Sequence, residues 1–286
     1  MLIEFLGVRG TVPVSGRKFI YYGGETHCLR IISKNGGEIL VDAGTGIRRL
    51  QPEINLNLRK RKLRFNIFFT HFHLDHVIGL PFFEPLYWPE AEFNFYSPWP
   101  AGKIKSVLSG LMAAPYFPVP FRKTASWKNF YQLKQSRLRL GNFRLRFLEV
   151  NHPGGAFAYR IEEGDKALVV VTDHEPDGGQ ADQELVEFCR RASCLVYDST
   201  YTETEFERKK GWGHSTWKHG LKIMKEAGVD ILVLSHFSPD YDDVTITRLL
   251  RKARLEYRKV WAARQGYILE LQPGKSLSKE RNRGRK

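Results

Sequence analysis

The sequence predicts an α+β protein, and three observations carry that expectation. Short apolar runs rich in β-branched and aromatic residues recur along the chain, among them Phe65-Asn66-Ile67-Phe68-Phe69 and Ala167-Leu168-Val169-Val170-Val171-Thr172. Runs of that length and composition read as buried strands. Between the later runs lie stretches with apolar residues three and four apart, such as Leu185, Phe188, Cys189 and Ala192, which read as helices with one covered face. Finally, His71, His152, Asp173 and His236 each stand just past an apolar strand, where a rigid scaffold commonly presents catalytic groups.

In chain order, residues 1–7 form a first strand, without the basic start or cleavage site of a signal peptide. Val8-Arg9-Gly10-Thr11-Val12-Pro13 is a loop with two readings: Arg9 and backbone N–H groups facing an anion, or structural turn chemistry. Strands 28–32 and 38–42 flank Asn35-Gly36-Gly37, a hairpin signal. Asp42-Ala43-Gly44-Thr45-Gly46 then turns tightly into a short helix. The strand at 65–69 delivers Thr70-His71-Phe72-His73-Leu74-Asp75-His76. A strand near 93–96 and a helix over 103–112 follow. The proline-aromatic loop 115–121 has equal claims to overhanging a pocket and to simple packing. Strands at 138–150 and 156–161 flank Asn151-His152-Pro153-Gly154-Gly155, and the strand at 167–172 ends in Asp173-His174-Glu175.

The helix through Leu185 carries Asp182 and Glu184 at its start and Arg190-Arg191 at its end, in agreement with the helix dipole. The strand at 195–197 closes on Asp198-Ser199-Thr200-Tyr201. Gly211-Trp212-Gly213-His214-Ser215-Thr216 leads into a helix with the stripe Trp217, Leu221, Met224, which Gly228 stops. The strand at 230–234 ends at Ser235-His236-Phe237. A helix over 244–255 and strands at 259–262 and 267–271 complete a body of residues 1–272. Residues 273–286 are expected to be a basic, disordered tail.

The composition is that of an ordinary globular protein: 286 residues, 42% hydrophobic and 27% charged, long enough for a large core. No apolar run approaches the roughly 18 residues of a membrane span, and a cytoplasmic location is expected. Cys28, Cys189 and Cys194 are odd in number and lack metal-type spacing, so a disulfide framework is not expected. Cys189 falls on an apolar helical face, where an inert thiol fits best. The net charge is +14, with six Lys/Arg against one Glu between Lys275 and Lys286, leaving +9 on the rest. Arg59-Lys60-Arg61-Lys62-Leu63-Arg64 is a second basic run. Such a surplus suits anionic partners or a merely basic solvated surface, with even claims.

The centre of the functional reading is His71, His73, Asp75 and His76, four potential metal ligands within six residues. If the loop stays extended, its period of two points His71, His73 and Asp75 to one side, and His76 begins a turn facing the same cavity. Imidazole and carboxylate together suit zinc, manganese or iron. Asp42 is expected to brace this loop, since ligand histidines usually donate their other N–H to such a group. Taken singly, an isolated His or Asp is an ordinary polar residue. Their repeated placement after buried strands favours one polynuclear metal site.

His71-x-His73-x-Asp75-His76, followed in order by His152, Asp173 and His236, resembles the metallo-β-lactamase superfamily, over about residues 1–272. Gly213-His214-Ser215-Thr216, Leu234-Ser235-His236-Phe237-Ser238, Gly7-x-Arg9-Gly10 and Asp42-Ala43-Gly44-Thr45-Gly46 are similar to segments of its phosphodiesterase and ribonuclease Z branch. The resemblance implies a four-layer αββα sandwich with two divalent metals at one edge, zinc foremost and manganese or iron as alternatives. It implies that His71, His73 and His152 bind one metal, that Asp75, His76 and His236 bind the other, and that Asp173 bridges them. A metal-bridging hydroxide would attack the phosphodiester, Asp75 would orient it, and His214 would be the general acid.

Departures from the family pattern are His27, where a small hydroxyl residue is usual, and His174 after the bridging Asp173, where a small residue is usual; either could touch substrate, but a neutral role is the stronger expectation for each. The leading expectation is a phosphodiesterase on small or cyclic phosphodiesters. Expected partners are an anionic small molecule or nucleotide, with nucleic acid and a second copy of the chain left open, and no membrane. A ribonuclease Z-like endonuclease is the first rival, favoured by the basic tail and opposed by the lack of a long glycine- and basic-rich arm. A thioester or lactone hydrolase is the second, opposed by the His214 motif because such substrates need less leaving-group protonation. The third, a non-catalytic nucleic-acid-binding protein, is opposed by the complete ligand set.

Overall fold

Fifteen strands alternate with helices in the computed structural model, which describes residues 1–52, 54, 63–134, 137–272 and the backbone of 281–282. The strands are β1 (Leu2–Gly7), β2 (Cys28–Ile32), β3 (Glu38–Val41), β4 (Leu63–Phe68), β5 (Ala91–Ser97), β6 (Trp127–Gln132), β7 (Leu138–Leu140), β8 (Phe143–Val150), β9 (Ala156–Glu163), β10 (Lys166–Val171), β11 (Cys194–Asp198), β12 (Leu232–Ser235), β13 (Val260–Ala262), β14 (Tyr267–Glu270) and β15 (Arg281–Asn282). The α-helices are α1 (Leu74–Val77), α2 (Ala101–Leu111), α3 (Gln180–Cys189), α4 (Glu203–Arg208), α5 (Trp217–Ala227) and α6 (Asp243–Glu256).

One sheet runs β15-β14-β1-β2-β3-β4-β5-β6 and the other β13-β12-β11-β10-β9-β8-β7. Strands β3 to β6 are mutually parallel in the first, as are β10 to β13 in the second. Period-two alternation explains how the sheets stack. In β3, Ile39 and Val41 enter the core between the sheets while Leu40 enters a second core on the outer face. In β4, Phe68 joins the inner core and Phe65 and Ile67 the outer one, which α2 covers with Ile104 and Leu108. Central β10 is buried from Ala167 to Val171, because α3, α5 and α6 cover its sheet's other face with Leu185, Leu221 and Leu249. The result is the expected four-layer αββα sandwich.

Local chemistry sets the helix ends. Thr216 caps α5 by accepting from His219 N–H, and Gly228 ends it in the left-handed region with φ 64°. Asp242 caps α6 through Thr245 N–H at 2.8 Å. Gly36 and Gly37, with φ 86° and 90°, close the β2–β3 hairpin.

The structure differs from the sequence reading in three places. The single strand expected over 138–150 is a hairpin, β7 and β8, turned at Gly141 with φ 56°. The stretch between the proline-aromatic loop 115–121 and Leu138, to which the sequence reading assigns no element, contains the edge strand β6. Thr202 and Glu205 form a capping box that starts the unanticipated α4. The basic run at 59–62 lies outside the described residues. So does the expected disordered tail, apart from Arg281–Asn282, which pair with Ile268 and Tyr267. Among the described residues no helix is long and apolar enough to cross a membrane.

Candidate metal centre

The site lies where the C-terminal ends of strands from both sheets meet. Beyond β4, Thr70 N–H donates to Asp42 Oδ1 at 2.8 Å, so the end of β3 holds the loop after β4. The loop does not stay extended: His73, at φ −63° and ψ 154°, is the N-cap of the single turn α1. His71 and His73 therefore project from extended backbone and Asp75 and His76 from a helical turn, and His76 N–H donates to His73 O at 3.0 Å. The second sheet supplies His152 after β8, Asp173 after β10 and His236 after β12. Glycine makes the close approach possible. A Cβ on Gly10 would overlap the His236 ring, and one on Gly213, where φ is 85°, would overlap His152 Nδ1.

Four overlapping donor sets result among the described residues: His71, His73 and His152; Asp75, His76 and His236; Asp173 with His71 and His76; and Asp173 with His214 and His236, the ligand atoms of each lying within 4.8 Å of one another. Asp173 faces both histidine groups, with Oδ1 3.8 Å from His71 Nε2 and Oδ2 3.2 Å from His76 Nε2 and 3.5 Å from His236 Nε2. Asp75 Oδ2 accepts Thr11 N–H at 2.7 Å.

The far ring nitrogens decide which lone pairs face inward. His76 Nδ1–H donates to Asp42 Oδ2 at 2.8 Å, His236 Nδ1–H to Thr200 Oγ1 at 3.0 Å, and His152 Nδ1–H to Gly213 O at 2.8 Å. With those protons placed outward, a neutral imidazole has a bare lone pair at Nε2. His76 Nε2 and His236 Nε2 then face each other at 3.2 Å with no proton to share, and buried His71 Nε2 has no hydrogen-bond partner. Converging bare nitrogens beside carboxylates are what a divalent cation accepts; the residues fit such ions.

Charge points the same way. Burial alone would lower His76, yet Asp75, Asp173 and Asp42 push it well above its usual value. Burial alone would raise Asp173, yet His236, His76 and His71 hold its carboxyl well below the usual range. Buried His71 is pushed down by desolvation and by His76. The cluster therefore demands positive charge at its centre.

His214 stands on the rim with its ring 5.2 Å from that of His236 and 5.7 Å from that of His152. Its Nδ1–H faces Asp198 Oδ2 at 3.1 Å. Burial lowers its pKa, but Asp198 and then Asp173 outweigh it and raise the group to about 9.

Asp42 is the brace expected of it. Arg9 and His174 are not brought to the centre. The Arg9 guanidinium is fully buried and donates to Gly23, Ser238 and Tyr241 carbonyls, so it anchors the loop behind His236, the turn chemistry of the two readings. His174 Nε2–H is directed to Asp182 on α3 at 3.0 Å. His27 is wholly buried behind the site, its ring 5.4 Å from His76 and 6.2 Å from His236. Sequence reasoning passed over three supports: Asp198 behind His214, Thr200 behind His236, and Glu175, whose carboxylate accepts both Gly211 N–H and Gly213 N–H at 2.6 Å. Asp198 ends apolar β11 and Thr200 follows it, much as Asp173 follows β10, and that signal could have found them.

Residues 38–237 match the family described as "Beta-lactamase superfamily domain". The chain belongs to the beta-lactamase superfamily. Its fold and donor set are those of a metal-dependent hydrolase. A protein of Leuconostoc mesenteroides named ribonuclease Z is 26% identical over 335 aligned positions, covering 98% of this chain and 99% of that relative. Two solved structures of this superfamily fold are similar. Human tRNase Z, short form, has a TM-score of 0.66 at 18% identity, covering 95% of this chain and 100% of that one. A diphosphatase of the PhnP family has a TM-score of 0.65 at 18% identity, covering 95% and 98%.

Proposed function

We propose that this superfamily member is a dinuclear metal-dependent phosphodiesterase acting on nucleotide phosphodiesters. The observation that carries the reading is the His214–Asp198 pair beside the seven-donor cluster. His71, His73 and His152 would hold one divalent ion, Asp75, His76 and His236 the other, and Asp173 both; zinc suits the set foremost, manganese or iron next. Ions so held supply a nucleophile from water near neutral pH and neutralise charge on the phosphodiester. Asp75, anchored through Thr11 N–H, has a second oxygen with which to orient an incoming water. Asp198 holds His214 Nδ1–H, which directs Nε2–H toward the leaving oxygen. Burial lowers the His214 pKa, but Asp198 ahead of Asp173 raises it in the metal-free protein to about 9, which favours the protonated form that a general acid needs. A group in this role contributes about 10²–10⁴-fold in rate. A leaving alkoxide needs it, whereas a thioester's thiolate does not, and this favours phosphodiesters over the thioester reading. The buried thiols of Cys28, Cys189 and Cys194 suit a cytoplasmic setting.

The ribonuclease Z-like reading is the second, favoured by the name of the Leuconostoc relative. Much of residues 101–132 is spent on α2 and the edge strand β6, leaving less there for an RNA-gripping arm, which favours small substrates.

The test is turnover by protein loaded separately with zinc and manganese, on bis(p-nitrophenyl) phosphate, cyclic nucleotides and precursor tRNA. His214→Ala should lose about 10²–10⁴-fold on a nucleotide diester and much less on the nitrophenyl ester, whose phenolate leaves without a proton. No turnover of any phosphodiester by metal-loaded protein refutes the reading. Equal loss on both esters refutes the role of His214.

A further inference from the structure

Trp212 is 65% exposed, although it stands two residues before His214. Other aromatics are as exposed, Trp127 at 73% among them, but Trp212 stands next to the site on backbone that is fixed. The Glu175 carboxylate accepts N–H groups from Gly211 and Gly213 at 2.6 Å each, bracketing Trp212 on both sides. Trp212 N–H itself donates to Lys209 O at 3.2 Å.

Lys209 links this tryptophan to the chemistry. Its ammonium lies 5.8 Å from the Trp212 ring centroid and 4.7 Å from that of Tyr201. The Tyr201 ring in turn meets His214 edge-on at 5.5 Å. The ammonium is thus separated from His214 by a single ring. No ion pair to Lys209 is found among the described residues, unlike Lys210, which pairs with Glu207 at 2.7 Å. An aromatic face beside a cation held by aromatic rings, outside a phosphodiester centre, has the two parts of a single-strand nucleic-acid subsite: a stacking platform and a phosphate contact.

We propose that Trp212 and Lys209 form a leaving-side nucleotide subsite, in which Trp212 stacks the base of the departing nucleotide and Lys209 meets its outer phosphate. This rests on the phosphodiesterase reading above. Because His214 gives its proton to the leaving oxygen, whatever departs lies on the His214 side, where these residues stand. The subsite favours linear nucleotide chains over cyclic diesters, whose leaving oxygen carries no further nucleotide. The rigid loop presents Trp212 ready-placed, so stacking costs little ordering.

The experiment compares a tetraadenylate with the methyl ester of adenosine monophosphate, whose leaving group is methanol. The readout is the ratio of their kcat/KM values. Base stacking of this kind is worth enough that Trp212→Ala should lower the ratio roughly tenfold or more, and Lys209→Ala should lower it in a salt-dependent way. Equal losses on both substrates would make these residues mere supports of the His214 loop and overturn the subsite; an unchanged ratio would do the same. A second measurement is independent of turnover. A 2-aminopurine-labelled tetranucleotide titrated into metal-free protein should be quenched on binding, and the quench should vanish in Trp212→Ala. Wild-type protein that binds and quenches the probe but hydrolyses no phosphodiester would refute the phosphodiesterase reading while leaving the binding site standing. Undiminished quenching in the variant would refute the site whatever the activity.

Discussion

Asp42 makes three hydrogen bonds that shape the site from outside the donor set. Its φ of 62° is one that few non-glycine residues adopt. That turn aims Oδ1 at Thr70 N–H and Oδ2 at Thr70 Oγ1–H and His76 Nδ1–H, each at 2.8 Å. Two oxygens therefore fix both the path of the loop after β4 and the tautomer of His76. An asparagine in its place would keep the backbone, since that residue tolerates the left-handed region, but its amide nitrogen in place of Oδ2 would face the His76 N–H. Asp42→Asn should thus weaken binding of the ion assigned to His76 by about 10–100-fold. Competition against a chromophoric chelator measures this, and an unchanged affinity would show that Asp42 serves only the backbone. Asp42 was legible in the sequence because a carboxylate at a strand end, opening the turn Asp42-Ala43-Gly44-Thr45-Gly46, is the kind of group to which ligand histidines donate. Thr200 serves His236 across 36 residues, much as Asp42 serves His76 across 34, but a threonine hydroxyl carries no such mark.

Elements were legible in proportion to how local their cause is. Helix α5 announces itself by a stripe, a threonine cap and a glycine stop, and β10 by an unbroken apolar run. Edge strand β6 has one neighbour, β5, and half-solvated residues, so its alternation is weak. The short α4 is defined by a cap and not by a stripe, and the β7–β8 turn was hidden by apolar residues on both sides of Gly141. The loop before α5 shows how an element can matter more than its pattern suggests. At Gly213 the φ of 85° and the overlap of a Cβ with His152 and Pro153 leave an alanine no room. Gly211 has a similar φ of 87° but nothing within 4 Å of its Cβ position. Gly211→Ala should cost only the left-handed strain, about 1–2 kcal/mol, and keep wild-type metal content. Gly213→Ala should displace His152, lower the bound metal per chain and reduce kcat at least tenfold. Metal analysis and melting curves of the two variants separate strain from displacement; equal metal content in both would refute the close-contact account.

At the scale of the whole molecule, the donor set is a junction between sheets. The loop after β4 brings His71, His73, Asp75 and His76 from the first sheet, and β8, β10 and β12 bring His152, Asp173 and His236 from the second. Ions held between them would tie together the C-terminal edges of both sheets. Below that edge the sheets share a continuous apolar core, which does not depend on metal. Chelation should therefore loosen the edge while the sandwich persists. An ion at about a thousand times its dissociation constant contributes about 4 kcal/mol by mass action. In a chain of this size each kcal/mol is worth roughly 2–4 °C in Tm, so chelator-treated protein should melt about 10 °C lower. Adding zinc or manganese back should restore the Tm, rising with the logarithm of metal concentration. Hydrogen exchange locates the effect: amides at 70–78, 151–155 and 211–216 should exchange faster without metal, while those of β10 to β12 stay protected. A uniform gain in exchange across both sheets would mean that the ions hold up the core itself. An unchanged Tm would mean that the junction binds no ion tightly enough to matter.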